Sequence, residues 1–250
     1  MRRWVLRITG LCAAVLAWHL LVSSLEPTPL PRPSDVVSSA WSNFRLLAEG
    51  AGYTTWRLIQ GLTWGFLAAT ALAIASSRWM ALRHLFGGPI EVVRPIPPIA
   101  LTPFFILLLG LGDESQVGLI GLGAFMMFYV GWLEALRRTP DALLNSARSL
   151  GYDGLRLVLQ VALPYAWPAQ KPIWRLAIAT GLSLSVAAEY LGAQGGLGFI
   201  IRNARTVLDF GEIAAASIAL GGIAIAVDLV ATEAIDFSSR WARKSGRFDV

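Results

Sequence analysis

Six apolar stretches alternate with polar connectors along the chain, at 8–25, 58–75, 96–111, 117–133, 176–191 and 213–230. Each approaches the ~20 residues that carry a helix across a ~30 Å hydrocarbon core. Backbone groups in lipid must be satisfied within the segment, so helices are the default. The pattern predicts an all-α, polytopic membrane protein with about six transmembrane helices. The first stretch follows Met1-Arg2-Arg3, runs longer than a secretory signal core and shows no small-x-small cleavage pattern before Glu26, so it is read as a retained helix.

The connectors are uneven. Between the first two stretches, Pro27, Pro29, Pro31 and Pro33 favour an extended path until Ser34-Asp35 offers a helix cap. This reads as an external strap followed by a short surface helix. Pro95, Pro97, Pro98 and Pro103 predict a break or kink where the third helix begins. The connector after the fourth stretch reads as two short helices. Thr139-Pro140-Asp141 is a helix start, with a hydroxyl cap, Pro at the first helical position and an acid in the first turn. Leu143, Ala147 and Leu150 recur at helical spacing until Gly151, a residue able to take the left-handed stop. Asp153 can cap a second helix, on which Leu155, Leu159 and Ala162 share a face before Pro164.

Composition narrows the class. The chain has 55% hydrophobic and 15% charged residues, against about 25% charged in soluble domains, which marks an integral membrane protein. The net charge of +5 does not gather into a nucleic-acid patch; it sorts by membrane side. With the N-terminus inside, sixteen Lys and Arg fall on the inner side and five (Arg32, Arg45, Arg57, Arg202, Arg205) on the outer. The positive-inside rule therefore places both termini and the Asn145–Pro164 connector in the cytoplasm.

Catalytic chemistry has little to stand on. The lone Cys12 excludes an intrachain disulfide, and His19 and His84 lie far apart without Cys, Asp or Glu at metal-ligand spacing, so no metal site is expected. No G-x-x-x-x-G-K-[ST] loop is present to hold nucleotide phosphates, and no Ser/His/Asp arrangement suggests a nucleophile. The chain is not read as an enzyme, and no catalytic residue is named.

Glu189 is the sharpest single residue. An acid among Ala187, Ala188 and Leu191 faces an insertion cost of ~2.5–3.5 kcal/mol at mid-membrane, less towards the helix end. It either lines a pathway or gate, or makes a helix-packing hydrogen bond or snorkels. Asp228 and Glu233 approach the inner end of the last helix and read as interfacial, and Arg94 as a snorkelling residue. Small residues are dense at 61–75 and 214–226 and suit close helix approach within the chain or at a subunit seam.

The polar connector carries a family resemblance. Asn145-Ser146-Ala147-x3-Gly151-x9-Val161-Ala162-Leu163-Pro164 resembles the "EAA" loop of ABC importer permeases, E-A-A-x3-G-x9-I-x-L-P. Arg94-Pro95-Ile96-Pro97-Pro98-Ile99-Ala100-Leu101-Thr102-Pro103, followed by Gly110-Leu111-Gly112-Asp113-Glu114-Ser115, is similar to the third-helix signature of the sulfonate/taurine/nitrate branch. Ala187-Ala188-Glu189 with Gly196-Leu197-Gly198 and Asn203-Ala204-Arg205 is similar to its fifth helix and outer loop, and Leu30-Pro31-Arg32-Pro33-Ser34 to its first outer loop. Asn145 stands where the family often has Glu, which removes any salt bridge that Glu would supply to the partner.

The resemblance implies a single permease domain over 1–250, with a first helix at about 8–25, a permease core at about 54–235 and a cytoplasmic coupling loop at about 134–172. It implies a type I importer fold in the bacterial cell membrane, paired with a second permease copy as a homodimer. Two ATPase subunits would dock on the coupling loops through Asn145, Ser146, Ala147, Arg148, Ser149, Leu150, Gly151, Tyr152, Leu163 and Pro164. ATP and Mg would be bound by those subunits, with no cofactor in this chain. A periplasmic or lipid-anchored solute-binding protein would deliver a small oxyanion such as a sulfonate, taurine or nitrate. Arg202 and Arg205 would meet that protein or the solute, and Glu189 would stand in the pathway or gate. A secondary transporter or a non-transporting scaffold are the alternatives. The first often shows inverted repeats and several midplane ionisable residues, and the second leaves Glu189 and the loop unexplained.

Overall fold

The computed structural model describes residues 2–24, 30–93 and 95–241, and among them every regular element is helical. Arg94 lies outside the described residues. In chain order the long elements are α1 (Arg2–Ser24), α2 (Pro33–Ser42), α3 (Phe44–Arg78) and α4 (Met80–Val93). A 3-10 turn at Pro98–Leu101 leads into α5 (Thr102–Leu109), and α6 is Asp113–Arg137. The loop helices α7 (Asp141–Ser149), α8 (Gly154–Leu157) and α9 (Leu163–Ala166) precede α10 (Lys171–Gly192), α11 (Leu197–Thr206) and α12 (Phe210–Ser238).

Among the described residues three helices, α3, α6 and α12, are each long and apolar enough to cross a membrane, and Gly154–Gly192 with α11, bent by 48° between them, makes a fourth if the pair is one span. The apolar parts of the first and third stretches are shorter, Cys12–Ser24 and Pro98–Leu109. The proline cluster is the reason for the third: Pro95 to Pro98 admit only a turn and a 3-10 start, and Pro103 sits in the first turn of α5. Helix α4, which ends just before that cluster, was not legible as a separate element. At the other end of the chain, α2 begins at Pro33, and Asp35 acts from its third position. The Asp35 carboxylate accepts the Arg32 N–H at 3.0 Å, so the acid caps from inside the helix rather than in front of it.

The rigid centre is the crossing of α3 and α6, with α10 against both. Gly61, Gly65, Ala69 and Ala73 repeat every four residues along α3 and all are buried. A Cβ at Gly65 would stand 2.6 Å from the Gly121 carbonyl oxygen and 2.7 Å from Ala124 Cβ. The backbones therefore meet at a distance only small residues permit. Of the small residues at 61–75, Gly61, Gly65, Ala69 and Ala73 thus pack within the chain, while Ala68 and Ala71 are exposed. Below the crossing, the rings of Phe66, Phe128, Trp132, Trp167 and Trp174 interlock, and Trp132 Nε1 donates to Thr70 Oγ1 at 2.8 Å. We expect Gly65→Val to force α3 from α6 and to cost at least the ~1–3 kcal/mol of an overpacked core. A detergent melting curve that matches the parent would contradict this crossing.

Helix α12 is held at both ends, and between them Leu220, Ile223, Ala224 and Val227 pack on the core while its other face is exposed. Ala215 and Ala216 are buried in a cluster with Val36 of α2 and Leu197 and Ile200 of α11, whereas Gly221 and Gly222 face open space. At its far end Lys171 Nζ meets Asp236 Oδ2 at 2.6 Å, Arg175 pairs with Asp228 at 3.2 Å, and Trp167 Nε1 donates to Ser238 Oγ at 2.7 Å.

Candidate functional site

The polar connector is a helix–turn–helix at one end of the bundle. Helix α7 opens at Asp141, whose charge suits the helix N-terminus. The expected hydroxyl cap is not made. Pro140 takes the cap position in an extended conformation, and Thr139 is buried with its Oγ1 unpartnered. The stop falls where the sequence placed it. Gly151 has φ +84°, Tyr152 N–H donates to the Ala147 carbonyl at 3.1 Å, and Gly151 N–H donates to Arg148 at 3.0 Å. This pair of bonds is a Schellman motif, closed by a residue with no Cβ penalty in the left-handed region.

Asp153 stands at the cap position of α8 without a side-chain bond to it. After Leu157 the chain makes one π turn, Val158–Ala162, before α9. That turn changes which residues share a face. Leu157 and Ala162, five apart, are buried together, as an i→i+5 repeat requires. Leu155 and Leu159, expected on the face of Ala162, are exposed, as is Leu150 (78%). The loop thus presents apolar side chains to its surroundings. Asn145 Oδ1 accepts from Arg148 Nη1 at 2.8 Å, Ser149 Oγ donates to the Asn145 carbonyl at 3.1 Å, and Ser146 Oγ donates to the Ala142 carbonyl at 2.8 Å. These polar groups bond within α7. Leu163 and Pro164 are half-buried at the start of α9.

The second constellation lies at the opposite end. Arg78 ends α3 beside Gly154, while Arg57 sits about 30 Å further up the same helix at 1.5 Å per residue. Here Glu189 is completely buried and its carboxylate has four donors. Thr54 Oγ1 lies 2.9 and 3.0 Å from the two oxygens, and Arg57 Nη1 and Ser185 Oγ each lie 3.2 Å from Oε1. Gly198 N–H donates to Oε2 at 2.8 Å. Thr54 Oγ1 also accepts the Leu197 N–H at 3.0 Å. Arg57 extends the knot: Nη1 donates to the Gly195 carbonyl at 2.7 Å, and Nε and Nη2 reach Asp113 Oδ1 at 2.9 and 2.7 Å. The Asp113 side chain is 56% exposed, that of Arg57 4%. A buried charge is tolerated when it is paired and hydrogen-bonded, and both conditions hold here. The knot ties α3, α6, α10 and the turn into α11 at one point.

Sequence reading missed Thr54, Arg57, Asp113 and Ser185 as members of this group. Arg57 was placed among the outer charges. The available signal was Arg57 at the edge of the apolar run 58–75 and Glu189 within the run 176–191, opposite charges that each need a partner on insertion. Arg202 and Arg205 also have internal partners. Arg202 donates to the Tyr190 and Ala193 carbonyls at 3.3 Å each, satisfying the end of α10, and its guanidinium lies 4.8 Å from the Phe199 ring. Arg205 is exposed and donates to the Tyr190 hydroxyl.

The apolar bundle thus carries a helical loop at one end and a polar knot at the other. The chain belongs to the family of binding-protein-dependent transport system inner membrane components, which residues 61–244 match. It is 30% identical over 90% of its length to a putative ABC transporter permease protein of Methanocaldococcus jannaschii, 87% of which is covered. Identity is 29% with the putative aliphatic sulfonates transport permease protein SsuC of Escherichia coli, over 83% of this chain and 81% of that one. With the taurine transport system permease protein TauC of the same organism it is 27%, over 90% and 82%. Among solved structures, the MetNI methionine ABC transporter in an inward-facing conformation has a chain that superposes with a TM-score of 0.64 at 21% identity, covering 78% of this chain and 98% of that one. The fold is that of a type I importer permease. The protein is a multi-pass inner-membrane translocation subunit of an ABC importer, a component that works with an ATPase and a binding protein.

Proposed function

We propose that the loop α7–α8 seats in an ATPase subunit, and that two copies of this chain pair in the membrane, each engaging one ATPase. The single observation that supports the seat best is the loop itself: a helix–Schellman turn–helix at one end of the spans with Leu150, Leu155 and Leu159 exposed on it. Exposed apolar residues on a polar, charged connector are what a protein partner covers. With loop and termini in the cytoplasm, as the distribution of Lys and Arg favours, ATP and Mg would be bound and turned over by the partner alone. ATP-driven closure of the ATPase pair would bring the two loops together and switch the bundle from inward-facing to outward-facing, biased by the different ATP affinity of the two states.

At the other end a solute-binding protein would deliver a small oxyanion, the sulfonates and taurine of the similar permeases being the first to try and nitrate the next. Arg205, exposed there, is offered to that protein, while Arg202 is engaged on α10. Glu189 would act as the fastening of the outer closure, since its carboxylate holds the α10–α11 turn against α3.

Gly151→Val tests the loop. A β-branched residue at φ +84° meets a penalty of about 1–2 kcal/mol or more, and no neighbour lies within 4 Å of its Cβ to add a clash. The protein should still insert and melt within several degrees of the parent, whereas co-purification of the ATPase and ATP-dependent uptake in vesicles should fall at least tenfold. Unchanged association with unchanged transport would reject the seat, and uptake driven by an ion gradient without ATP would reject the importer mechanism.

A further inference from the structure

Behind the loop lies a half-open cleft of about 340 Å³, between the ends of α3 and α6 on one side and α7, α8 and the π turn on the other. Its walls are mixed, with Leu136, Leu144 and Leu157 on the apolar side and Ser77, Arg78, Arg148 and Asp153 supplying the polar groups. Among the described residues no acid lies within ion-pairing distance of either guanidinium. Arg148 has only the neutral Asn145 amide, and Arg78 has no side-chain partner. The Asp153 carboxylate likewise makes no bond to α8. Two arginines without a direct ion pair, on separate helices and outnumbering the one acid of a partly apolar cleft, make a seat for an amphiphilic anion.

The height of the chamber narrows the choice of ligand. Helix α3 ends at Arg78, and Trp79, the next residue, is exposed, the residue types found at the level of lipid headgroups. We propose that this chamber binds a phosphate group, held between Arg78 and Arg148 and supplied by an anionic membrane phospholipid whose glycerol end lies against the leucines. Basic pockets at the membrane ends of spanning helices take lipid phosphates in this way. Asp153 sets the balance: it leaves the chamber at +1 and so limits the affinity for a purely anionic ligand. The bound phosphate ties the end of α3 to α7, at a chamber that Leu150, Leu155 and Leu159 do not line. The headgroup is thus a fastener between bundle and coupling loop, and it rests on the proposed role of that loop.

The test is a titration of the purified full-length permease in detergent with phosphatidylglycerol, followed by thermal melting and by native mass spectrometry for retained lipid. Arg78→Gln and Arg148→Gln should each raise the half-saturating lipid concentration about fivefold, the contribution of one basic residue near a lipid surface. Asp153→Asn should lower it by a similar factor. Arg156→Gln should leave it unchanged, because Arg156 stacks over the Tyr152 ring and does not line the chamber. All four side chains are exposed, so the melting point without lipid should not move and reports the fold separately. Inorganic phosphate giving the same Arg78-dependent shift would assign the seat to a free anion of the same chemistry. A lipid response that ignores both arginines, or an Asp153→Asn change that weakens binding as Arg78→Gln does, overturns the proposal.

Discussion

Glu189→Ala is expected to strip the protein of about 3 kcal/mol or more, the lower end of what removing one partner of a buried ion pair costs. Arg57 would keep Asp113 and the Gly195 carbonyl, but Thr54, Ser185 and the Gly198 N–H would lose their acceptor. Glu189→Gln is expected to be harmful as well. The amide keeps one oxygen for Thr54, Arg57 or Ser185, yet it must turn an NH2 group towards another donor, either the Gly198 N–H or the Arg57 guanidinium. An unsatisfied buried donor costs about 1–3 kcal/mol. Detergent melting curves and vesicle uptake, run on both variants, separate this fastening role from a lining role. The knot predicts that melting temperature and transport fall together, more for Ala than for Gln. Transport lost at an unchanged melting temperature would mean that the carboxylate meets the solute instead.

Gly196→Ala is the harshest single change the structure suggests. Gly196 has φ +115°, where L-residues are strained, and its added Cβ would stand 2.4 Å from the Glu189 carboxyl carbon. The carboxylate cannot retreat without breaking bonds to four donors. Backbone strain of about 1–3 kcal/mol and overpacking of about 1–3 kcal/mol therefore act together. We expect the variant to accumulate poorly in membranes and to melt well below the parent. Gly195→Ala is the control one residue away, since its Cβ would meet only the Tyr53 ring at 3.4 Å. Equal yields and melting points for the two variants would show that the α10–α11 turn is not held as described.

The loop was legible because its signals are local. A left-handed stop needs a residue without Cβ, and Gly151 supplies one after a helical run, so helix, turn and second helix could be placed by spacing alone. What spacing could not give was the π turn at Val158–Ala162. It has no residue signature, and it moves Leu155 and Leu159 off the buried face. The failed cap at Thr139 has the same origin: the hydroxyl is a good cap by type, but packing buries it away from α7.

The sequence by itself determined the class of the protein, its all-helical apolar character, the proline break before α5 and the helix–turn–helix after α6. Each follows from hydropathy or backbone chemistry within a few residues. Of the six expected spans, however, three, or up to four, are long and apolar enough among the described residues. Only the tertiary structure decided that Arg57, counted from sequence as an outer charge, is the buried partner of Glu189, with 132 positions between them. It also decided that the α3 glycines serve a crossing within the chain, and that Arg202 closes the end of α10. Pairing between distant charges and contact between distant glycines depend on which helices become neighbours. A hydrophobic period states that a helix has a buried face, but only the packed bundle states what lies against it.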